Sequence, residues 1–336
     1  IEFPQAQPHG INMRTHFRNR SSEPKSYTQS KASGQSGSAI GWAATFTLLF
    51  LLSFQTLGGT GKPDVFWEFK ETENRTLRLH VFLPDGYTEA AASGERYPAY
   101  IIFHGGGWGG GSPTTHYAEC LYWAKRGMVA AAPEYRLKKM DNVEVPLECV
   151  KDAKSAIRYL RKNAVELNLN PDRFVVAGAS AGGQLAAATS MIHSPETNDG
   201  LYDGEIPTAA NALVLFNPWF KCQPELSPPH HIAAGLPPSI VFLGDEDPGI
   251  TVESLKTYHE ALKEKGNDSE FHVAFGGKHG FCNGRNPTNR YFYWSLKMQD
   301  RFLVKHGILT GSDQVEIPDE FKDRVKELQA KDFNSY

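Results

Sequence analysis

Cysteine is scarce in this sequence, and its placement argues against two kinds of protein. The 336 residues contain four cysteines, at positions 120, 149, 222 and 282, and no C-x-x-C pair. Zinc sites and disulfide frameworks are recognised by closely or regularly spaced cysteines. We therefore expect the thiols to behave as small buried apolar groups, with a single disulfide as the alternative.

An excess of charge of one sign is also lacking. Lys and Arg number 35 against 38 Asp and Glu, which gives a net charge of -3. Nucleic-acid binding is not expected because it normally leaves a basic footprint. No H-E-x-x-H motif occurs, since His259-Glu260 is followed by Ala-Leu-Lys. We expect neither a metal nor an organic cofactor.

Only one long apolar run is present, near the start of the chain. Residues 40–57 read IGWAATFTLLFLLSFQTL; they follow a basic, Ser-rich stretch and precede Gly58-Gly59. Such an order is typical of an export signal or a membrane anchor. We expect residues 1–60 to be an N-terminal extension and the protein to be secreted or periplasmic, with 40–57 as a possible membrane anchor. The alternative is a buried helix.

From residue 65 the sequence alternates strand-like and helix-like segments. Strands are predicted at 77–84, 99–104, 128–133, 173–177, 212–216, 239–243 and 271–275. Helices are predicted at 150–163, 252–265 and 291–306. This alternation predicts an α/β fold with a mostly parallel sheet covered by helices on both faces. We expect a catalytic domain at 61–310 and a helical tail at 311–336, with the chemistry just after the strands.

A G-x-S-x-G motif lies between a predicted strand and a predicted helix. Residues 178–183 read GASAGG and are followed by a helical run at 184–188. A sharp strand-to-helix turn needs positions without bulk beside the serine. The helix N-terminus also favours negative charge that develops there. We predict Ser180 as a nucleophile; the alternative is a glycine-rich turn with an incidental capping serine.

A second glycine-rich loop follows the predicted strand at 99–104. Its sequence, HGGGW at 104–108, matches the loop that supplies backbone N–H donors to an oxyanion. Gly105, Gly107 and Gly110, with Glu134 further on, also fit a dinucleotide-binding fingerprint. That alternative is disfavoured because Ser112-Pro113 separates the glycines from any helix and the Ser180 turn would be left unexplained.

An acid and a base follow the serine in the order expected of an α/β hydrolase. GDEDP at 244–248 and GGKHGF at 276–281 each follow a predicted strand. We predict that His279 is the base and that Asp247 orients it. Asp245 and Glu246 remain alternatives for the acid.

Five motifs together resemble a known family. They are HGGGW at 104–108, EYRL at 134–137, GASAGG at 178–183, GDEDP at 244–248 and KHGF at 278–281. The chain is similar, over about 65–308, to bacterial esterases related to hormone-sensitive lipase and to their acetyl-esterase and feruloyl-esterase-like neighbours. Ala179, where the hormone-sensitive-lipase group commonly has Asp, favours the latter neighbours.

The resemblance also implies roles for individual residues. Gly106, Gly107 and Ala181 would donate the oxyanion N–H groups, and Trp108 would line the acyl pocket. Tyr135 and Arg136 would support the structure near the third strand.

We therefore expect a serine carboxylesterase that hydrolyses short-chain acyl esters through an acyl-enzyme on Ser180. Its substrate is expected to be a small molecule or a polysaccharide-linked ester, with acetyl or feruloyl esters of plant polysaccharide as candidates. A serine peptidase or amidase of the same fold, or a non-catalytic binding member, are the alternatives. The sequence leaves the oligomeric state open.

Overall fold

The computed structural model describes residues 61–87, 94, 96–283, 290–323 and 327–328. The predicted extension 1–60, with its apolar run at 40–57, lies outside these residues. Within the described ranges, no helix combines the length and the hydropathy needed to cross a membrane.

A nine-stranded sheet forms the centre of the described residues, in the order β1-β2-β4-β3-β5-β6-β7-β8-β9. The strands are β1 Val65–Glu71, β2 Thr76–Phe82, β3 Tyr97–Phe103, β4 Val129–Pro133, β5 Leu169–Ala179, β6 Ala212–Phe216, β7 Ser239–Gly244, β8 Ser269–Ala274 and β9 Glu327–Leu328. Neighbours from β4 to β8 pair in parallel, whereas β1, β2 and β9 pair antiparallel with their neighbours. The prediction of a mostly parallel sheet is confirmed.

Helices cover both faces of this sheet. They are α1 Tyr117–Lys125, α2 Lys138–Asp141, α3 Leu147–Lys162, α4 Ala181–Met191, α5 Val252–Glu264, α6 Arg290–Lys305 and α7 Asp319–Lys322. Along β3, Ile101 and Phe103 join the core cluster that contains residues of α3, α4 and α5, whereas Tyr100 and Ile102 join the cluster of α1 and α6. Successive side chains of a strand point to opposite faces, so each face has its own apolar core.

All seven predicted strands and all four predicted helical segments, including the run at 184–188, are present, with ends shifted by a few residues. The sequence analysis missed β1, β9, α1 and the short α2. Strand β1 alternates buried Val65, Trp67 and Phe69 with exposed residues, so its period of two was a usable signal. Helix α1 is short and buries Cys120 and Trp123 without a clear polar stripe, which hides it from a periodicity argument.

Within 311–336, the described residues are helical only over Asp319–Lys322, and β9 then pairs antiparallel with β8. In the described part of the predicted helical tail, residues 311–318 are irregular and 327–328 form an edge strand. At this edge the imidazole of His272 on β8 hydrogen-bonds with Glu327 on β9 and lies 3.5 Å from Glu270. Burial lowers the pKa of His272, but the two carboxylates outweigh it and raise the pKa to about 9.

This contact predicts a pH-dependent stability. The pKa of folded His272 exceeds its ordinary value of 6.5, so the folded state holds the extra proton more tightly. The stabilisation is complete below pH 6.5 and is lost as the pH rises through about 9. We expect the free energy of unfolding in urea to fall by on the order of 1 kcal/mol across that window, and less in His272→Gln. An identical slope in the two proteins would contradict the assignment.

Candidate active site

The turn between β5 and α4 holds Ser180 in a conformation that side chains rarely adopt. Its φ is 56° and its ψ is −119°. A Cβ at Gly178 would lie 2.1 Å from the carbonyl oxygen of Gly182, and a Cβ at Gly182 would lie 2.1 Å from that of Phe103. The two glycines of the motif are therefore required because backbone fills the space where their side chains would be.

Backbone hydrogen bonds hold this strained residue in place. The Ser180 N–H donates to the Phe216 carbonyl of β6 at 2.9 Å, and the Ser180 carbonyl accepts from the N–H groups of Trp219 at 2.9 Å and Gln184 at 3.2 Å. A conformation of this kind persists only where its surroundings over-determine it. The serine side chain is thereby presented at the carboxyl edge of the sheet.

Three side chains predicted from the sequence meet at this edge. The His279 imidazole places Nε2 2.9 Å from Ser180 Oγ and Nδ1 2.6 Å from Asp247 Oδ2. The Asp247 side chain is fully buried, and its Oδ1 accepts from the N–H groups of Gly249 at 2.9 Å and Ile250 at 3.0 Å. This arrangement can take a proton from the hydroxyl and fix the orientation of the imidazole that receives it.

The three carboxylates after β7 have different surroundings. Asp247 contacts His279, whereas Asp245 Oδ1 accepts a hydrogen bond of 2.6 Å from the Gly276 N–H and Glu246 is exposed. Asp245 therefore joins the loop after β7 to the loop after β8. The geometry favours Asp247 over its two neighbours as the partner of the imidazole.

The glycine loop after β3 lies beside the serine. A Cβ at Gly105 would be 3.1 Å from Ser180 Cβ; at Gly106, where φ is +124°, it would be 2.2 Å from the Gly110 carbonyl oxygen. Among the described residues, the backbone N–H groups of Gly106, Gly107 and Ala181 have no hydrogen-bond acceptor. The loop therefore offers amide donors next to the hydroxyl that could stabilise an oxyanion.

The dinucleotide alternative for these glycines gains no support. The next helical element is the short 3₁₀ turn Pro113–His116, so no helix opens on the glycines. Glu134 forms ion pairs with Arg75 at 3.2 Å and Arg78 at 3.4 Å. A carboxylate with these partners already has a structural role beside β2.

The chain after β4 supports the glycine loop. The Tyr135 hydroxyl donates to the His104 carbonyl at 2.8 Å, and the two rings stack with centroids 4.4 Å apart. Burial raises the pKa of Tyr135 well above its ordinary range, so the phenol remains a donor. Arg136 pairs with the fully buried Asp152 of α3 at 2.7 Å. These contacts agree with the supporting roles that the family resemblance implies.

Trp108 is buried beside α4. Its indole N–H donates to Gln184 Oε1 at 3.1 Å, and the residue is only 8% exposed, with φ of 56°. It is not among the residues that line the cavity at Ser180, and its place in the acyl pocket stays a prediction.

A cavity of about 420 Å³ opens on Ser180. Its walls are formed by Gly105, Gly106, Gly107, Gly111, Thr115, His116, Glu119, Ala179, Ser180, Phe216, Asn217, His279, Gly280, Cys282 and Asn283. Among the polar members of this wall that the sequence analysis missed are His116, Glu119 and Asn217. Asn217 directly follows β6 at the carboxyl edge, so its position was a usable signal. The other two belong to the missed α1 region.

Asn217 lies against the imidazole. Its side-chain amide nitrogen is 3.3 Å from His279 Nε2 and 3.5 Å from Nδ1, and the residue is 1% exposed with φ of 34°. Trp219 presents an edge to the same ring, with centroids 6.4 Å apart. Asn217 and Trp219 therefore both lie against the His279 ring.

Comparison with known proteins finds a family model and solved structures that this chain resembles. Residues 85–214 match the family described as BD-FAE. Esterase 2 of Thermogutta terrifontis, in its structure phosphorylated by paraoxon, is 39% identical; the match covers 74% of this chain and 95% of that chain, with a TM-score of 0.68. Its butyrate-bound structure gives 36% identity, the same TM-score of 0.68 and 96% coverage of that chain.

Curated relatives are more distant. Esterase LipI of Mycobacterium tuberculosis is 26% identical over 217 residues, which are 55% of this chain and 65% of that protein. Endo-1,4-beta-xylanase B of Butyrivibrio fibrisolvens is 24% identical over 251 residues, which are 67% of this chain and 39% of that protein. The chain spans less than two thirds of the length of the curated relatives it matches.

Because Asp245, Glu246 and Asp247 have different contacts, replacing each of them by its amide should affect activity to a different extent. Asp247→Asn should misorient His279 and lower kcat toward p-nitrophenyl acetate by roughly 10⁴-fold. Glu246→Gln should stay within about tenfold of the unsubstituted protein because surface-loop changes usually matter little. Asp245→Asn should also stay within about tenfold in kcat, while thermal unfolding reports the loss of its loop contact. If Asp245→Asn were the crippled variant, the assignment of the acid would be incorrect.

Proposed function

The chain belongs to the esterases of the α/β-hydrolase fold, and from that membership we propose that it hydrolyses short-chain carboxylic esters through an acyl-enzyme on Ser180. The observation that carries the proposal is the continuous chain of contacts from Ser180 through His279 to Asp247, of 2.9 Å and 2.6 Å. Nucleophile, base and orienting carboxylate are within hydrogen-bond reach, as covalent catalysis by serine requires.

The proposed reaction follows from this geometry. His279 Nε2 takes the Ser180 proton as Oγ attacks the ester carbonyl carbon, and Asp247 stabilises the imidazolium that forms. The N–H groups of Gly106, Gly107 and Ala181 bind the oxygen that becomes negative. The imidazolium then returns the proton to the leaving alcohol. Water activated by the same imidazole cleaves the acyl-enzyme and restores the hydroxyl.

The cavity favours a small acyl group. Its volume of about 420 Å³ is near the lower end of ligand pockets, which span about 300–1,000 Å³. The butyrate-bound neighbour supports the same acyl size. Acetyl groups on plant polysaccharide are our first candidate for the natural substrate, supported by the likeness to an enzyme named as a xylanase. Feruloyl groups, which are bulkier than this cavity favours, are the second candidate.

Ser180→Ala tests the proposed nucleophile. The turn is shaped by glycines and backbone hydrogen bonds, so the variant should fold while losing about 10⁴-fold or more in kcat. Hydrolysis of p-nitrophenyl acetate, butyrate and octanoate, with circular dichroism as the folding control, measures both effects. We expect acetate and butyrate to be cleaved faster than octanoate. A folded Ser180→Ala protein with near-full activity would rule out the mechanism.

Organophosphate labelling tests the same residue without relying on turnover. Paraoxon should inactivate the protein in a time-dependent way and add one diethylphosphoryl group to the peptide that contains Ser180, because an activated serine attacks phosphorus as it attacks a carbonyl. Ser180→Ala is the matched control and should remain unlabelled. Labelling of another residue, with Ser180 unmodified, would refute the assignment.

A further inference from the structure

The proposed oxyanion donors come from two separate parts of the chain. Gly106 and Gly107 belong to the loop after β3, whereas Ala181 is the first residue of α4. Such donors act at hydrogen-bond distances of about 2.7–3.1 Å, so they can share one oxygen only if the two parts keep a fixed separation. The site therefore needs a contact that joins the glycine loop to α4.

The glycine loop does not fix its own position relative to α4. Gly106, Gly107 and Trp108 have φ values of 124°, 60° and 56°. The Gly106 carbonyl accepts from the N–H groups of Gly109 and Gly110, both at 3.2 Å, and these bonds close a turn within the loop. Glycine backbone is otherwise permissive. The direction of the donor N–H groups therefore depends on where the rest of the protein holds this turn.

Trp108 is the residue through which the turn is held. Its indole N–H donates to Gln184 Oε1 at 3.1 Å, and its carbonyl accepts from the Lys138 N–H at 2.9 Å. The side chain is thus joined to α4 and the backbone to the first residue of α2. A φ of 56° is unfavourable for a bulky residue. These two contacts help to retain a backbone conformation that the chain would not adopt by itself.

Gln184 lies one turn along α4 from the nucleophile and is fully buried. Its backbone N–H donates to the Ser180 carbonyl at 3.2 Å, so its side chain is carried by the same turn of helix as the serine. Both ends of its amide are used: Oε1 accepts from Trp108, and Nε2 donates to the Leu226 carbonyl at 2.7 Å. Each end meets the partner that its chemistry requires, which fixes the plane and orientation of the amide.

We propose that Gln184 is a positioning residue for the oxyanion donors. By holding the Trp108 indole, it sets the separation between the N–H groups of the glycine loop and that of Ala181. The proposal rests on the proposed ester hydrolysis at Ser180 and adds a residue on which stabilisation of the transition state depends. Gln184 acts only through Trp108, because it is fully buried and is not among the residues that line the cavity.

Two substitutions remove the contact, one from each side. Trp108→Phe keeps an aromatic ring but lacks the indole N–H, and Gln184→Leu keeps a similar volume but lacks both amide groups. Trp108→Phe leaves the bond between Gln184 and Leu226 in place, so it isolates the contact to the glycine loop.

Asn267→Leu is the matched control. The Asn267 amide is also buried and also bridges two groups, since Oδ1 accepts from the Leu236 N–H at 2.9 Å and Nδ2 donates to the Ala233 carbonyl at 2.8 Å. These contacts lie just before β7 and β8, at the ends of the strands away from Ser180. The control therefore loses comparable hydrogen bonds without touching the oxyanion donors.

The measured quantity separates the oxyanion donors from general stability. The kcat/KM on p-nitrophenyl acetate is compared with that on its thiono analogue, in which sulfur replaces the carbonyl oxygen. Sulfur is larger and a weaker acceptor than oxygen, so donors fixed around an oxygen favour the oxo ester in the transition state. A variant that only unfolds more easily loses activity on both esters alike, and the ratio of the two values does not change.

We expect the unsubstituted protein to prefer the oxo ester. Trp108→Phe and Gln184→Leu should each lower kcat on p-nitrophenyl acetate by about tenfold to a hundredfold and change KM by less than about threefold, because a displaced donor weakens the transition state alone. Each should also lower the oxo-to-thiono ratio by about tenfold. The double variant should be no worse than the poorer single variant, because both act through one contact. Asn267→Leu should leave the ratio unchanged.

The outcomes separate the two proposals. If the unsubstituted protein cleaves p-nitrophenyl acetate without preferring it to the thiono ester, or if Trp108→Phe keeps the preference, the role of Gln184 is refuted and ester hydrolysis stands. Losses in kcat that multiply in the double variant would refute that role as well. If neither ester is cleaved, both proposals fail. If Gln184→Leu does not fold, Trp108→Phe decides alone.

Discussion

The backbone of Ser180 is the constraint on which the rest of the site depends. Its φ of 56° and ψ of −119° lie where non-glycine residues cost about 1–3 kcal/mol each. The cost is offset by two hydrogen bonds: the Ser180 N–H donates to the Phe216 carbonyl of β6, and the Trp219 N–H donates to the Ser180 carbonyl. Those two contacts also place Asn217 beside the imidazole. The strained backbone of Ser180 and the position of Asn217 beside His279 therefore depend on the same path of the chain after β6.

The order of the sheet then brings the remaining groups to the serine. Strands β3, β5, β6, β7 and β8 are neighbours and run in parallel, so their carboxyl ends lie along one edge. The glycine loop, the serine, Asn217, the carboxylate and the imidazole follow these five strands in that order. The loops after β7 and β8 are also joined directly, because Gly244 and Gly277 approach so closely that a Cβ at Gly244 would lie 2.1 Å from the Gly277 carbonyl oxygen. Asp247 and His279 are therefore held at a fixed separation by backbone.

Much of this could be read from the sequence, for a physical reason. Fully buried parallel strands are continuous apolar runs in the sequence, so the sheet was predictable. The loops at 104–108 and 178–183 were predictable because glycines are required at fixed spacings where two backbone segments approach closely. The direction of a side chain within a turn was not, because it depends on φ and ψ. For that reason the sequence could not show that the Trp108 indole bonds Gln184, nor which of Asp245, Glu246 and Asp247 lies against His279. His116 is brought to the cavity by the tertiary packing of α1, which no local pattern reports.

Several groups around Ser180 are fixed by contacts away from it. Asp247 is held by two backbone N–H groups, the His104 carbonyl by the Tyr135 hydroxyl, and the His116 ring by Glu119. Among the described residues, the N–H groups of the oxyanion loop then remain without partners beside Ser180. Donors fixed in this way need no reorganisation when charge develops on a substrate, which is the source of most electrostatic catalysis. The electrostatic part of catalysis in this cavity therefore depends on the rigidity of its walls.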